Sequence, residues 1–317
     1  ATDANLGAAG TGITLDGGSI GTTTTPAGTS FTRTITLTGN GGISVGQHPI
    51  TWAGNIVGPG QLIKSGNGEL ELTGTNTYGG GTLVQRGTLR ISSDDKLGFA
   101  GSEVTLQENG ALRASETFTI RRNINLVGAG GVILVDGSKT LTLNGIVSGS
   151  NILKVGDGTV ILGGANTYTG TTQVPQGILQ GNSSTIRGNV AFDETGLSKS
   201  LVFDQAVDGT FAGNIAGVGL TNGNGSVVKN GAGTLTLTGT NKYTGGTTVN
   251  AGTLQGTTTS LQGSITNNAA VIFNQSFDGT YAGNMTGTGT LTKNGSGKVT
   301  ITGTNTIGGG TTINAGG

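Results

Sequence analysis

The sequence predicts an all-β protein built as a β-solenoid, in which short strands of each turn stack on those of the next. Two observations carry this prediction. The 65 glycines, 55 threonines and 26 asparagines make up nearly half of the 317 residues, and these residue types are unfavourable inside helices. A glycine-rich motif also recurs four times at unequal spacings, which a stack tolerates because each coil contacts only its neighbours.

Four copies of this motif organise the chain, over residues 60–91, 150–181, 225–256 and 289–317. Matched lysines lie 90, 75 and 64 residues apart: Lys64, Lys154, Lys229 and Lys293. Matched asparagines keep the same spacings: Asn76, Asn166, Asn241 and Asn305. No linker interrupts the copies, and the fourth copy stops inside a strand pattern that the third continues. We therefore predict one continuous β-helix over 1–317, as a fragment of a longer chain.

Within each copy, apolar residues alternate with polar ones, as at Leu70 and Leu72 or at Leu235 and Leu237. A period of two residues is typical of strands with one buried face. Glycine pairs such as Gly66 and Gly68 separate the strands and supply tight corners. Three strands of about five residues with their turns predict roughly 20 to 25 residues per coil, and hence about 14 coils.

Charge and apolar content exclude several classes of protein. Sixteen basic and sixteen acidic residues give a net charge of zero, and the basic residues form no stripe, so we expect no nucleic acid partner. No apolar run approaches the roughly 20 residues that a membrane helix needs, and the N-terminal residues do not resemble a signal peptide. The chain has no cysteine, so disulfides and thiolate metal sites are absent.

The complete motif is Lys-x-Gly-x-Gly-x-Leu-x-Leu-x-Gly-x-Asn-x-Tyr-x-Gly-Gly-Thr-x-Val-x-x-Gly-Thr-Leu, found from Lys229 to Leu254. It resembles the autotransporter-associated β-strand repeat, also called the passenger-associated transport repeat. The resemblance implies a right-handed parallel β-helix in the passenger of a type V secreted Gram-negative surface protein. It also implies export through a C-terminal outer-membrane barrel in the full-length chain, with no membrane insertion by this segment. Members of the family are commonly adhesins or aggregation factors.

Two copies depart from the motif. The fourth has Ile307 where the others have tyrosine, namely Tyr78, Tyr168 and Tyr243. The second replaces the Gly-Gly-Thr step by Gly170-Thr171-Thr172 and places Pro175 in the following strand. Because isoleucine substitutes for tyrosine, we predict that the tyrosines pack in the interior and do not stack on sugars.

The other repeated polar residues also receive structural roles. We expect the asparagines to hydrogen-bond their own backbone at corners. We expect the lysines to snorkel, with an apolar stem along the surface and the ammonium group in water, because the four copies lie too far apart to form one binding stripe.

No catalytic, cofactor-binding or metal-binding residue is predicted. His48 is the only histidine and has no neighbouring serine or carboxylate motif. Asp94-Asp95 and Asp193-Glu194 are paired acids of the kind that glycosidases use, but adjacent strand residues point to opposite faces. Asp157 lies in a single Gly-Asp-Gly turn and not in a calcium-binding array.

The functional prediction is an extended, non-enzymatic passenger rod that acts as a stalk or adhesin at the Gram-negative cell surface. Its expected partners are host-cell or bacterial surface molecules, and self-association is a further possibility. The alternative is a polysaccharide-binding or polysaccharide-degrading β-helix protein. Two carboxylates within about 5 to 10 Å in a groove would favour the degrading enzyme, whereas scattered acids would favour the scaffold.

Overall fold

In a computed structural model, which describes residues 3–8, 10–22 and 25–316, the chain divides into two compact units. Unit 1 extends to Thr169 and unit 2 begins at Gly170. Within each unit the described strands pair in parallel with strands of the preceding and following coils. The predicted parallel β-solenoid is therefore confirmed, whereas its right-handed sense and its continuity over 1–317 stay predictions.

The described residues of unit 1 form twenty strands: β1 (Ile13–Leu15), β2 (Ser19–Thr22), β3 (Thr29–Phe31), β4 (Ile35–Leu37), β5 (Gly41–Val45), β6 (Ile50–Trp52), β7 (Ile56–Val57), β8 (Leu62–Ser65), β9 (Glu69–Leu72), β10 (Thr82–Val84), β11 (Thr88–Ile91), β12 (Val104–Gln107), β13 (Ala111–Ala114), β14 (Phe118–Ile120), β15 (Ile124–Val127), β16 (Gly131–Val135), β17 (Thr140–Leu143), β18 (Val147–Gly149), β19 (Ile152–Val155) and β20 (Thr159–Leu162).

The described residues of unit 2 form eighteen strands: β21 (Thr172–Val174), β22 (Gly177–Gly181), β23 (Val190–Phe192), β24 (Lys199–Asp204), β25 (Gly209–Phe211), β26 (Ile215–Gly217), β27 (Ser226–Asn230), β28 (Thr234–Leu237), β29 (Thr247–Val249), β30 (Thr253–Gly256), β31 (Ile265–Asn267), β32 (Ala270–Asn274), β33 (Gly279–Tyr281), β34 (Met285–Gly287), β35 (Thr290–Asn294), β36 (Val299–Ile301), β37 (Asn305–Ile307) and β38 (Thr311–Ile313).

The described helical elements are three short 3-10 turns, at Asp3–Leu6, Asp94–Leu97 and Val218–Leu220. The first two lie in long loops of unit 1 and the third in a loop of unit 2. No helix in the part of the chain that the structure describes is long and apolar enough to span a membrane.

Coil length differs between the units. In unit 1 the paired residues of neighbouring coils lie between 19 and 23 positions apart, as for Thr88 with Glu69 and Ala111 with Thr88. In unit 2 the separation ranges from 17 positions, between β30 and β32, to 26, between β25 and β28. The predicted 20 to 25 residues per coil lies within this range. Coil length varies because insertions at corners leave the strand pairing unchanged.

The interior of each unit is a column of apolar side chains supplied by every second strand residue. In β9, Leu70 and Leu72 are fully buried, while Glu69 and Glu71, which alternate with them, face outward. Aromatic pairs fill wider parts of the column: Phe31 stacks on Trp52 at 5.0 Å between ring centroids in unit 1, and Phe273 lies 5.3 Å from Tyr281 in unit 2. Burial of these side chains stabilises the stack.

Glycines at the corners let successive turns lie directly on each other. Gly66 has a φ of 72°, and a Cβ atom there would collide with the carbonyl oxygen of Val45 in the preceding coil. Gly231 has a φ of 78° and meets the carbonyl group of Gln205 in the same way. The repeated Lys-x-Gly step therefore marks a corner where both the backbone conformation and the close approach require glycine.

Candidate functional site

The motif lysine is an interior residue. The side chain of Lys64 is fully buried, and its Nζ donates hydrogen bonds to the carbonyl oxygens of Ser65 at 2.8 Å, Gly66 at 2.8 Å and Arg86 at 3.0 Å. The first two carbonyl groups belong to the corner that follows the lysine, and the third belongs to the matching corner of the next coil. The ammonium group thus joins two stacked corners.

The same three-carbonyl cage recurs in unit 2. Nζ of Lys229 donates to residues 230, 231 and 251 at 2.7 to 3.0 Å, and Nζ of Lys293 donates to residues 294, 295 and 315 at 2.6 to 3.1 Å. Lys154 is also fully buried and donates to the carbonyl oxygen of Gly156. The prediction that these lysines snorkel to water was wrong, because the corner carbonyl groups replace water around each ammonium group.

Burial makes the charge on these lysines costly. It lowers the pKa of Lys64 to about 8. It also lowers the pKa of Lys154 to about 8, against the opposing effect of the nearby Asp157 carboxylate. The pKa of Lys229 is lowered too by burial, while Asp204 and Asp208 act in the opposite direction. A lysine that must shed most of its water is retained here because its three hydrogen bonds are all supplied by backbone.

The motif asparagines join neighbouring coils. Oδ1 of Asn76 accepts a hydrogen bond from the backbone N–H of Ile56 at 2.8 Å, and its Nδ2 donates to the carbonyl oxygen of Lys96 at 2.8 Å. These partners lie 20 residues before and after it. Asn241 makes the equivalent bonds in unit 2, to Ile215 and Ser260. The prediction of bonds to their own corner was wrong, because each amide bridges a place where the strand ladder is interrupted.

Asn305 in the fourth copy differs from these two asparagines. It is exposed, and its Nδ2 donates to the carbonyl oxygen of Gly303, two residues away. Asn305 thus has the local hydrogen bond that we expected of all four copies.

The motif tyrosines pack in the interior, as predicted. Tyr78, Tyr168 and Tyr243 are at most 1% exposed. The hydroxyl groups of Tyr78 and Tyr243 hydrogen-bond the threonine four residues later, at 2.7 and 2.8 Å. Burial raises the pKa of both phenols, so they stay neutral. Apart from Asn305, the repeated lysines, asparagines and tyrosines are therefore buried inside the stack.

Two arginines that sequence reasoning missed fix the long loops of unit 1. The Arg122 side chain is 1% exposed, and its guanidinium group binds the carboxylate of Asp94 at 2.9 Å. It also donates to backbone carbonyl groups of the loop, those of Asp94, Leu97, Gly98 and Phe99, at 2.9 to 3.3 Å. One buried side chain therefore connects the two ends of the segment 94–102.

Arg33 repeats this arrangement in the first loop of the chain. Its guanidinium group binds Asp3 at 3.1 Å and donates to the carbonyl groups of Gly7 and Ala8. Asp3, Leu6 and Gly7 have identical counterparts 91 positions further along the chain, at Asp94, Leu97 and Gly98. The two arginines lie 89 positions apart, and this near-equal spacing was the signal in the sequence for their shared role.

The outward faces of the two units differ in chemistry. In unit 1, Arg113 of β13 binds Glu69 of β9, two strands away, at 2.9 Å, and Asp136, which follows the neighbouring strand β16, at 2.9 Å. Arg90 lies between Glu71 and Arg113 in the strand register and contacts Glu71 at 3.4 Å. These five residues, Glu69, Glu71, Arg90, Arg113 and Asp136, form what we call the charged ladder.

In unit 2, an uncharged column occupies one outward face. Thr248 pairs with Thr266, which pairs with Thr286, which in turn pairs with Thr306. We call these four residues the threonine column. Because threonine is a good strand former with a polar side chain, the column keeps this face hydrated without charge.

The acidic residues considered at the sequence level do not assemble into a pair. Asp94 is held by Arg122, whereas the pKa of neighbouring Asp95 is lowered by its hydrogen bond with Ser93. Asp193 binds Lys199. Burial would raise the pKa of Asp193, but hydrogen bonds from Lys199 and Thr195 outweigh this and lower it.

The described part of the chain contains no group of three potential metal ligands, and His48 lies exposed in a turn.

Comparison with known proteins gives a family for the repeats. The family model described as passenger-associated-transport-repeat matches residues 62–91, 152–180, 227–255 and 291–317. The chain is also similar to "Adhesin BmaC autotransporter" of Brucella suis biovar 1 (strain 1330), with 38% identity over 172 residues. That alignment covers 52% of this chain and 5% of the adhesin.

A second relative is "Extracellular serine protease" of Serratia marcescens, with 39% identity over 67 residues. This alignment covers 21% of the chain and 6% of the protease. The chain thus spans a small part of the length of both relatives. No solved structure matches the chain.

Proposed function

We propose that this chain, a segment of an autotransporter passenger with four passenger-associated-transport repeats, acts as a non-enzymatic β-helical stalk and adhesin at the Gram-negative cell surface. One observation carries the proposal: the most regular polar residues of the repeat are buried in bonds between coils. Because the repeated residues maintain the stacked coils, the outward-facing residues can vary and form a binding surface. The relative from Brucella suis is named an adhesin.

The state of the carboxyl groups supports a role without catalysis. A glycosidase needs one carboxylic acid with a raised pKa beside an ionised carboxylate. The carboxyl groups whose pKa is perturbed in the described residues, Asp95, Asp193 and Asp208, are all shifted downward. The carboxylates of Glu69 and Asp136 are both bound by Arg113. These acids serve as ion-pair and hydrogen-bond partners.

The adhesin role is tested by direct binding. The purified chain, labelled with a fluorophore, should bind host epithelial cells or the producing bacteria, and an excess of unlabelled chain should displace it. Absence of saturable binding to both surfaces would contradict the adhesin role. The alternative function, polysaccharide degradation, predicts new reducing ends when the chain is incubated with bacterial or host polysaccharides.

Self-association is a second candidate function, favoured by the threonine column. An uncharged column of hydroxyl groups lacks the like-charge repulsion that would separate two copies. Analytical ultracentrifugation should show a dimer at high concentration that a Thr266→Lys, Thr286→Lys variant loses. A sedimentation coefficient that does not change with concentration would exclude pairing of this segment.

A further inference from the structure

A groove in unit 2 is formed by the loop 257–264 and the strand–turn segment 280–284 of the following coil. Its volume is about 430 Å³, within the range of small-molecule sites. Thr258, Gln262, Ser264, Thr280 and Asn284 line it, and no charged side chain does. The ring of Tyr281 is 2% exposed and packs beneath, with its hydroxyl group donating to the carbonyl oxygen of Gly263 at 2.8 Å.

A glycine allows the two segments that form the groove to approach each other closely. A Cβ atom on Gly283 would collide with the carbonyl oxygen of Gly263, so the two segments approach each other more closely than any other residue would permit.

Several lining groups retain unused hydrogen-bonding capacity. The Ser264 and Thr280 hydroxyl groups have no protein partner among the described residues, and both residues are exposed. Asn284 uses Oδ1 to accept from the backbone of Thr304 at 2.8 Å, which leaves its Nδ2 available as a donor. Gln262 uses Nε2 to donate to Thr258, which leaves its Oε1 available as an acceptor. The groove therefore offers a donor, an acceptor and two hydroxyl groups that can be either.

The chain contains an internal duplicate of this segment with a different lining. Phe211 takes the place of Tyr281, at an offset of 70 positions. Arg187 takes the place of Gln262 and Asn189 that of Ser264, at an offset of 75. Asn189 uses its Oδ1 to accept from the backbone of Asn214 at 2.9 Å, so a side chain bridges the two segments there. The uncharged lining, with Gln262 and Ser264 in place of Arg187 and Asn189, is thus particular to the second copy of the segment.

We propose that this groove binds a neutral sugar unit of a surface glycan. Sugar hydroxyl groups donate and accept hydrogen bonds, which matches the mixed capacity of the lining. A charged ligand would lose water without gaining a partner of opposite charge, and an apolar ligand would leave the lining groups unpaired. A peptide strand has no unpaired edge to join here, because β31 pairs with strands on both of its sides. The assignment deepens the proposed adhesin function by naming its ligand class, and its test does not use cells.

The test is saturation-transfer NMR with the full chain and the methyl glycosides of glucose, galactose and mannose at millimolar concentration. We expect transfer to at least one glycoside. The variant Gln262→Arg, Ser264→Asn installs the duplicate's residues and should weaken that binding about tenfold. A donor-only guanidinium group replaces the Oε1 acceptor, and an asparagine at position 264 should bridge the two segments as Asn189 does in the duplicate. Gln173→Arg, which adds the same charge on an exposed strand position of unit 2, is the matched control and should bind as the parent chain does.

Three results would overturn the assignment. They are no transfer to any of the three glycosides, equal transfer in the parent chain and the groove variant, and preferential transfer to acetyl-triglycine amide, a neutral peptide probe. If this test failed and the chain still bound cells saturably, the groove would not be the sugar site and the adhesin function would stand. If the groove bound a glycoside and the chain did not bind cells, the sugar site would stand and the adhesin function would be contradicted.

Discussion

The two units share an interior and differ in their exterior. Both stack parallel coils, and both use a buried lysine with three carbonyl partners and a bridging asparagine. Residues 1–169 nevertheless carry 21 charged residues and residues 170–317 only 11. Loops fixed by a buried arginine and the charged ladder belong to unit 1, whereas the threonine column belongs to unit 2. The shared features are therefore those that coil stacking requires, and the different ones are free to serve binding.

The arginine-fixed loops should give the largest energetic difference between the units. Arg122→Ala would leave the Asp94 carboxylate and several loop carbonyl groups without their buried partner, and breaking such a pair typically costs about 3 to 5 kcal/mol. We expect hydrogen exchange of residues 94–102 to accelerate strongly while exchange in unit 2 stays unchanged. The measurement is peptide-resolved hydrogen exchange with mass spectrometry.

The neighbouring residue supplies a matched control for that substitution. Arg121 is exposed, and Arg121→Ala should change stability by no more than about 0.5 kcal/mol. If the two variants exchanged alike, the loop would be held by its own turns and the buried arginine would not distinguish the units.

The lysine cages should give a smaller and shared effect. Lys64→Met and Lys229→Met each remove an ammonium group from three carbonyl groups, at a cost of about 1 to 3 kcal/mol for buried acceptors left unpaired. Urea unfolding should show similar losses for the two variants. Lys298→Met, at an exposed position, serves as the control. A loss confined to one variant would show that the cages are not equivalent and would break the claim of a shared interior.

The dependence of stability on pH should separate the cages in a finer way. Burial lowers the pKa of folded Lys64 to about 8, below the value of about 10.4 for an unfolded lysine. Between these two pH values the unfolded chain binds more protons than the folded chain, so the free energy of unfolding should rise with pH. Below about pH 8 both states are protonated and this contribution is flat.

Lys64 should contribute more than Lys229 to this increase in the free energy of unfolding, because Asp204 and Asp208 oppose the lowering of the pKa of Lys229. Thermal unfolding at several pH values between 7 and 10.5, for the parent chain, Lys64→Met and Lys229→Met, measures this. Lys64→Met should flatten the rise more than Lys229→Met does. Equal flattening would mean that the two aspartates have no effect on the Lys229 cage.

The sequence was sufficient to predict the stack but not the contacts inside it. Alternation at Leu70 and Leu72 and the glycine corners determine strands and turns locally, so the β-solenoid followed from the pattern. The roles of Lys64 and Asn76 did not, because their partners Arg86 and Lys96 lie about one coil further along the chain. Only the strand register, which depends on all corner lengths together, brings those groups within hydrogen-bonding distance. The prediction that the motif tyrosines are buried was confirmed, because packing of an aromatic ring in the interior does not depend on one particular partner.

The smallest effect should come from the outward faces. Arg113 is 31% exposed and its ion pairs with Glu69 and Asp136 are reached by solvent, so Arg113→Gln should cost about 1 kcal/mol or less and less still at high salt. Thr266→Ser in the threonine column should change stability by no more than about 0.5 kcal/mol at any salt concentration, because no charge is involved. Urea unfolding at low and high sodium chloride concentration separates the two. If the loss of stability caused by Arg113→Gln did not depend on salt, packing of the aliphatic stem of Arg113, and not its charge, would stabilise this face. The difference between the charged and the uncharged exterior would then have no effect on stability and would matter for binding alone.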